Sequence, residues 1–368
     1  MSRFITLAIH TYDRAVALRA LLEAEGVAVE LHNINLEVPG LSSGVRVRIP
    51  ESDLPLALRI VENRELFADP AEERPAHTFL VPVDLGETSY KAAVVAASLA
   101  SATGGRITFL YSYLDPYLAG KVQFTDTLSY EVGDRGARHM LEENARGLLD
   151  NFAQRLKSDM KKGAVAAAKY ATKVVEGVPE DAIVDYARNE RPSLIVMGTR
   201  GAERKDKDYI GSVTAEVLDE GRFTVLTVPA PVEIEKVLCP ANILFLSNLD
   251  QDDILAVDVL YRIFGNTTAS VTIVHAPAKR RFSDASTQKA LQALSNFCRD
   301  NFKHYTFVTV PIDLNNVEDE FLNLRREHDY DLIVVPNRRR NAFSRLFNPG
   351  LAHRLLFHTD IPMLVIPV

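Results

Sequence analysis

Gly198-Thr199-Arg200-Gly201, nine further residues and then Gly211-Ser212 form the stretch whose residue types and spacing best suit the binding of an anion. Glycine has no side chain to keep a ligand off the backbone, so a phosphate can approach the main chain closely there. The run before it, Ser193-Leu194-Ile195-Val196-Met197, is apolar and of strand type, and the run after it, Val213 to Leu218, has helical apolar spacing. The order is therefore strand, glycine loop, helix. The first N–H groups of a helix have no internal partner, so they can receive a phosphate. Ser212 can add a hydroxyl to that phosphate or simply cap the helix. Arg200, Arg204, Lys205 and Lys207 bring positive charge. A tight strand–helix connection without a ligand is the alternative, and for Arg200 it is a solvated loop charge.

Other chemistry finds little support. The chain has no Gly-x4-Gly-Lys-Ser/Thr, and hence no P-loop lysine for a γ-phosphate. It has no HExxH and no cluster of Cys and His, so no metal site and no catalytic residue is expected. His275, His353 and His358 are dispersed and read as ordinary fold or surface histidines.

The elements that must position the loop follow from length and periodicity. A chain of 368 residues holds two or three domains, and its formal net charge of −7 argues against a nucleic-acid surface. Cys239 and Cys298 lie far apart, which suits a reducing compartment; no apolar run is long enough for a membrane span, so a cytoplasmic protein is expected. Residues 1–66 read as a small βαββα unit: strand 3–9, helix 12–25, strands 27–31 and 45–49, helix 52–63 with Ser52 as N-cap. Residues 67–77, with Pro70, Pro75, Glu72 and Glu73, read as a linker.

From Thr78 strands alternate with helices, which predicts an α/β fold with a parallel sheet covered on both faces. The pattern then repeats. Gly198 corresponds to Pro336 (336 − 198 = 138), Pro229 to Pro367 (367 − 229 = 138) and Asp84 to Asn248 (248 − 84 = 164). The first repeat thus carries 164 − 138 = 26 extra residues, placed between Ser112 and Tyr170. Ligands of such sheets sit beyond the carboxyl ends of the strands where strand order reverses, and Asp84, Ser112 and Gly198 fall at such ends. Asp84 can accept from a ribose hydroxyl or an adenine amino group; a turn aspartate ahead of Gly86 is the alternative.

Gly-x2-Gly-x9-Gly-Ser after a buried strand resembles the nucleotide loop of the ATP-binding universal stress proteins. Leu80 to Ser89 resembles that family's first strand and acidic turn, and Thr224 to Pro229 its last strand. The resemblance spans Thr78 to Val368 and implies two tandem doubly wound, Rossmann-like domains at 78–231 and 240–368. The N-terminal unit resembles a small signal-transducing domain through Thr11-Tyr12-Asp13, Glu25-Gly26-Val27 and Gly44-Val45-Arg46-Val47; a module that only packs on its neighbour is equally open. The family likeness implies that Pro82, Val83 and Asp84 edge an adenosine and that the backbone near Ser112 meets adenine. It implies that Met197, Gly198, Arg200, Gly201 and Ala202 follow the ribose and phosphates, with Gly211, Ser212 and Val213 beyond. The ligand so implied is ATP or AMP, with magnesium as an accompanying ion left open. Repeat 2 departs from the pattern: Asn248, Pro336, Arg339 and Pro349-Gly350 replace Asp84, both loop glycines and Gly211-Ser212. Binding is therefore expected in repeat 1 alone.

Three function classes stand: an adenine-nucleotide-binding stress-response or signalling protein, a slow ATPase or phosphoryl or nucleotidyl transferase, and an interaction scaffold that binds no nucleotide. The missing P-loop lysine and general base weigh against the second. A protein partner is expected but not named. The last strands of the two repeats are expected to pair as an intrachain pseudo-dimer, with a homodimer as a further option. The 26-residue insertion, with Tyr113, Tyr117 and Phe124, is expected to border the repeat 1 pocket.

Overall fold

The computed structural model describes residues 4–10, 12–35, 42–54, 56–57, 77–114, 135–199, 212–247, 249, 252–275, 284–311, 329–337 and 360–368. The N-terminal part is a three-stranded antiparallel sheet, β1 (Phe4–His10), β2 (Glu30–Asn35) and β3 (Ser42–Pro50), in the order β1-β3-β2. Helix α1 (Tyr12–Ala24) packs on it through Ala15, Leu18 and Leu22. The second strand starts later than its sequence suggests. Gly26 takes φ +82° and the Val27 N–H bonds back to the Leu22 carbonyl at 2.9 Å, so Gly26 and Val27 close the helix instead of opening the strand. Ser52 is not a helix cap either: a 3₁₀ turn runs over Glu51–Asp53 and the Ser52 hydroxyl donates to Asp53.

The larger sheet has ten strands: β4 (Thr78–Pro82), β5 (Arg106–Tyr113), β6 (Lys169–Glu176), β7 (Leu194–Gly198), β8 (Val225–Val228), β9 (Asn242–Ser247), β10 (Ala269–His275), β11 (Tyr305–Pro311), β12 (Leu332–Asn337) and β13 (Met363–Pro367). Their order is β11-β10-β9-β12-β13-β8-β7-β4-β5-β6. Each half is parallel and carries the same order, and the halves meet in one antiparallel pair, β8 with β13. The two strands expected to pair across a two-fold do so.

Helices cover both faces. One layer holds α2 (Glu87–Thr103), α3 (Arg135–Lys161), α7 (Asp252–Phe264) and α8 (Asp284–Asn301); its core runs through both halves by way of Phe109, Phe152, Phe245, Phe264 and Phe302. The other layer holds α4 (Pro179–Glu190) and α5 (Ser212–Glu220), packed through Ile183, Ala187, Val217 and Leu218. Helix α6 (Ile234–Leu238) lies in the connection between the halves and has too few residues to show a period in the sequence. The helices expected at 317–327 and 351–357 lie outside the described residues, as do Tyr117 and Phe124; Tyr113 ends β5.

Small side chains let α2 lie close to the sheet: nine of its residues are alanine, valine or leucine and all but Ala102 are buried. Two glycines then do different jobs at its end. Gly104 adopts φ +67° to stop the helix, and a β-carbon on Gly105 would fall 2.4 Å from the His77 carbonyl oxygen.

Strand register makes the duplication quantitative. Phe79↔Leu194 has its counterpart in Ile243↔Leu332 (243 − 79 = 164; 332 − 194 = 138). Thr78↔Arg106 matches Asn242↔Ser270, a shift of 164 at both residues. Arg106↔Lys169 matches Ser270↔Thr306, where 306 − 169 = 137. The first repeat therefore carries 164 − 137 = 27 extra residues between its second and third strands, and repeat 2 has one more between its third and fourth. The 26 read from the sequence is the net of the two.

Candidate functional site

In repeat 1 the chain passes from β4 outward to β5 and β6, then returns to the other side of β4 as β7. That reversal leaves a crevice between the carboxyl ends of β4 and β7. The described β4–β7 pairing covers Phe79↔Leu194 and Leu80↔Ile195, while the strands themselves run on to Pro82 and Gly198. Alternation explains where it ends. The Thr78 carbonyl faces β7 and the Val83 N–H faces β5, so position 82 faces β7, and there proline has no N–H to give.

Pro82 and Val83 are buried, and Asp84 stands exposed at the rim. Counting two residues on from the Pro82↔Leu110 pair sets Asp84 level with Ser112, which is half-buried. Asp84 Oδ1 accepts the Gly86 N–H at 3.0 Å, and Leu85 between them takes φ +66°. The turn-aspartate reading is thus realised, and it leaves the carboxylate at the crevice rim.

Met197 is buried and pairs with Thr227; Gly198 pairs with Val228. A β-carbon on Gly198 would lie 2.8 Å from Thr88 Cγ2 and 3.1 Å from the Thr88 carbonyl carbon. Glycine is required here because the first turn of α2 rests on the strand, a reason separate from ligand approach. The Gly198 carbonyl accepts from the buried Thr214 hydroxyl at 3.0 Å, so the end of β7 is fastened to the first turn of α5. That bond brings the two ends of the glycine loop together. Ser212 begins α5 and Val213 is half-buried behind it. Arg200, Gly201, Ala202 and Gly211 lie outside the described residues, as do Arg204, Lys205 and Lys207.

Sequence reading missed the surroundings of this crevice. Glu87, the first residue of α2, is held by Arg155 of α3 through two hydrogen bonds, 2.6 Å to Oε1 and 2.9 Å to Oε2. The pairing holds the Glu87 carboxyl below its ordinary range. The Arg155 guanidinium lies 3.9 Å from the Tyr90 ring centroid, and the Tyr90 hydroxyl donates to Asp159 at 2.5 Å. Burial first, and the Asp159 bond second, push the Tyr90 phenol up to about 12. Lys91 Nζ donates to the carbonyls of Ala230 and Val232, in the connection that leads to repeat 2. Glu87 and Arg155 are 68 residues apart, and no local spacing announces such a pair.

Repeat 2 keeps the turn and changes what fastens it. Leu249, the counterpart of Leu85 (249 − 85 = 164), also has a positive φ, +55°. Here the Ser247 hydroxyl accepts the Leu249 N–H at 3.0 Å and donates to the fully buried Asp253 at 2.7 Å. His275 Nδ1 lies 2.7 Å from the Ser247 carbonyl oxygen, as expected of a fold histidine. Cys298 is buried beneath, and burial, with the Asp253 charge second, pushes its thiol up. Asn337, which follows Pro336, donates across the junction to the Leu218 carbonyl at 3.4 Å. Asn248, Arg339 and 349–350 lie outside the described residues. Among the described residues no three His, Cys, Asp or Glu side chains gather as a metal site, and no helix is long and apolar enough to cross a membrane.

Comparison with known proteins bears on this architecture. The universal stress protein family matches residues 75–229 and again residues 243–367. A universal stress protein of Methanocaldococcus jannaschii is 33% identical over 84 residues; the match takes in 23% of this chain and 49% of the relative, so the chain spans about half the length of the curated relative it matches. Among solved structures, a universal stress protein from Archaeoglobus fulgidus aligns over 79% of this chain and 98% of its own, at 14% identity and a TM-score of 0.57. One from Pseudomonas aeruginosa aligns over 79% of this chain and 93% of its own, at 14% identity and a TM-score of 0.50. These two likenesses bear on the fold. A universal stress protein in complex with cAMP is similar at 21% identity over 41% of this chain and 96% of its own, with a TM-score of 0.30.

Proposed function

The chain belongs to the universal stress protein family, with two copies of the domain in tandem, and from that premise we propose that it binds one adenine nucleotide, ATP or AMP, in the crevice of repeat 1. Its role on this reading is stress response or signalling, exerted through the conformation that binding selects. The observation that carries it is the parting of β4 and β7 at Pro82, with Asp84 on the rim and α5 fastened to Gly198 by Thr214. The ribose would lie toward Asp84, the adenine toward the backbone at Ser112, and the phosphates toward Gly198, Arg200 to Ala202 and Gly211 to Val213. Magnesium would enter with the triphosphate.

Hydrolysis is not part of the reading. Glu87 is a poor proton acceptor, because Arg155 occupies both of its oxygens and lowers its pKa.

The remaining parts of the reading are organisational. Residues 1–66 form a separate module, 67–77 the linker, and 78–231 and 240–368 the two domains, in a cytoplasmic protein without nucleic-acid partners. Limited proteolysis should cut first within 67–77; first cuts inside the ten-stranded sheet would count against these boundaries.

The function is tested by mass spectrometry of small molecules released from the denatured purified protein, followed by calorimetry with ATP and AMP. An adenine nucleotide in the released fraction and a stoichiometry near one are expected. A stoichiometry of two would show that repeat 2 also binds, and no heat with either ligand would favour the scaffold reading.

A further inference from the structure

Glu87 opens α2 three residues after Asp84, and its neighbour Thr88 touches Gly198. The mouth of the crevice therefore carries two carboxylates, one of them beside the path assigned to phosphates. Helix α3 supplies the cation that meets the second. The Arg155 fork takes both Glu87 oxygens, and its guanidinium sits over the ring of Tyr90, which Asp159 holds by its hydroxyl. Arginine is suited to this double use because its planar group can form a fork in its plane and stack through its face.

Stability is a weak reason for the arrangement. The Glu87 side chain is 77% exposed and that of Arg155 48%, and pairs so exposed contribute little to folding. Repeat 2 does not reproduce it: the counterparts of Tyr90 and Lys91 are Ile254 and Leu255, each 164 residues on. The assembly belongs to the repeat that keeps the aspartate and the glycines.

We propose that Arg155 is a positioning residue that sets the ligand charge the crevice accepts: seated over Tyr90, its guanidinium neutralises Glu87 and holds that carboxylate by both oxygens, which lets a polyphosphate approach a mouth already carrying Asp84. The inference rests on the reading of the crevice as an adenine-nucleotide site. Its physical content is Coulombic. A bare Glu87 carboxylate repels each phosphate charge, so the penalty grows from adenosine to AMP to ATP. Arg155→Ala should weaken ATP binding by about tenfold, AMP binding less, and adenosine binding hardly at all. The loss should shrink as salt is raised, since the repulsion runs through solvent. Arg155→Lys should fall between, keeping the charge and losing the fork.

Calorimetry with adenosine, AMP and ATP at low and high salt provides the test, on the full chain. Adding Glu87→Gln to Arg155→Ala should restore ATP binding, because the repelling charge is gone. Equal losses for all three ligands, or no restoration by Glu87→Gln, would overturn the inference and leave Arg155 a structural residue. Where Arg155→Ala does not fold, Glu87→Gln alone decides: unchanged or tighter ATP binding supports the inference and weaker binding overturns it. If the wild-type chain binds none of the three, the nucleotide reading itself fails and takes the inference with it.

Discussion

Leu226 and Leu364 face each other across the antiparallel pair that joins the repeats, and they are equivalent residues, since 364 − 226 = 138. The flanking pairs obey the same shift: Met363 with Thr227 exchanges for Val365 with Val225 (225 + 138 = 363; 227 + 138 = 365). A pseudo-two-fold therefore passes between the two leucines. One chain has built what two copies of a single domain would build, an isologous contact in which two apolar edges cover each other.

Both leucines are fully buried, so truncating either to alanine should cost about 2–5 kcal/mol. They are direct cross-strand neighbours, so the double variant should cost measurably less than the sum. Urea unfolding of the two singles and the double closes the cycle. Strict additivity would mean that the junction is not shared in this register.

Gly198→Ala separates packing from ligand approach. The new methyl must displace Thr88, and a core overpacked in this way loses typically about 1–3 kcal/mol. Thr88→Ser removes the methyl that stands 2.8 Å away but leaves the backbone carbon at 3.1 Å, so it should restore part of the loss and not all. Denaturant midpoints of Gly198→Ala, Thr88→Ser and the double variant test this. A stable Gly198→Ala chain would show that the first turn of α2 does not rest on β7.

His275 gives repeat 2 a pH signature. Burial lowers its pKa below the ordinary 6.5, with the bond to the Ser247 carbonyl pulling the other way. The folded state then binds fewer protons than the unfolded one between those two pKa values. Stability is full above about pH 6.5 and is lost as pH falls from there toward the folded pKa, by at most about 1.4 kcal/mol per pH unit. His275→Asn, which keeps a donor near Nδ1 and does not titrate, should flatten that limb. Parallel curves for the two proteins between about pH 7.5 and about pH 5.5 would clear His275.

Most of the strands were legible because each carries a run of β-branched and apolar residues ended by a turn residue, and the duplication was legible because strand ends such as Met197-Gly198 and Val335-Pro336 recur at a fixed offset. What the sequence hid has physical causes. The β2 start moved because Gly26 and Val27 serve the end of α1, a use that only the backbone bond from Val27 to Leu22 reveals. The insertion count was a net value, because a one-residue difference between β11 and β12 cancels part of it and only strand register separates the two. At the crevice, Gly198 was legible from the glycine spacing, Asp84 from its place at a strand end, and Met197 from the family resemblance. Thr214, Thr88, Arg155 and Asp159 were not, since their contacts join residues 16 to 110 positions apart (198 − 88 = 110; 214 − 198 = 16) whose side chains carry no pattern of their own.

Asp84 has two roles that one substitution can part. Its Oδ1 fastens the turn by accepting from Gly86, and its charge stands at the crevice rim. Asparagine keeps an oxygen for the Gly86 N–H and loses the charge; alanine loses both. Asp84→Ala should therefore cost about 1 kcal/mol of stability through the unpaired turn, in which Leu85 already holds a positive φ. Asp84→Asn should stay within about 0.5 kcal/mol of the wild type. For the ligand the two should behave alike. A charged acceptor for a ribose hydroxyl is worth roughly 1.5–3 kcal/mol, which is about tenfold to a hundredfold in affinity for ATP and AMP. Ser247→Ala in repeat 2 is the matched control. It unfastens the corresponding turn from Asp253 and Leu249, so it should lower stability and leave nucleotide binding in repeat 1 unchanged. Thermal unfolding and calorimetry on the three variants decide it. Wild-type affinity in Asp84→Asn would reduce Asp84 to a turn residue, and a loss of binding in Ser247→Ala would place the ligand in the wrong repeat.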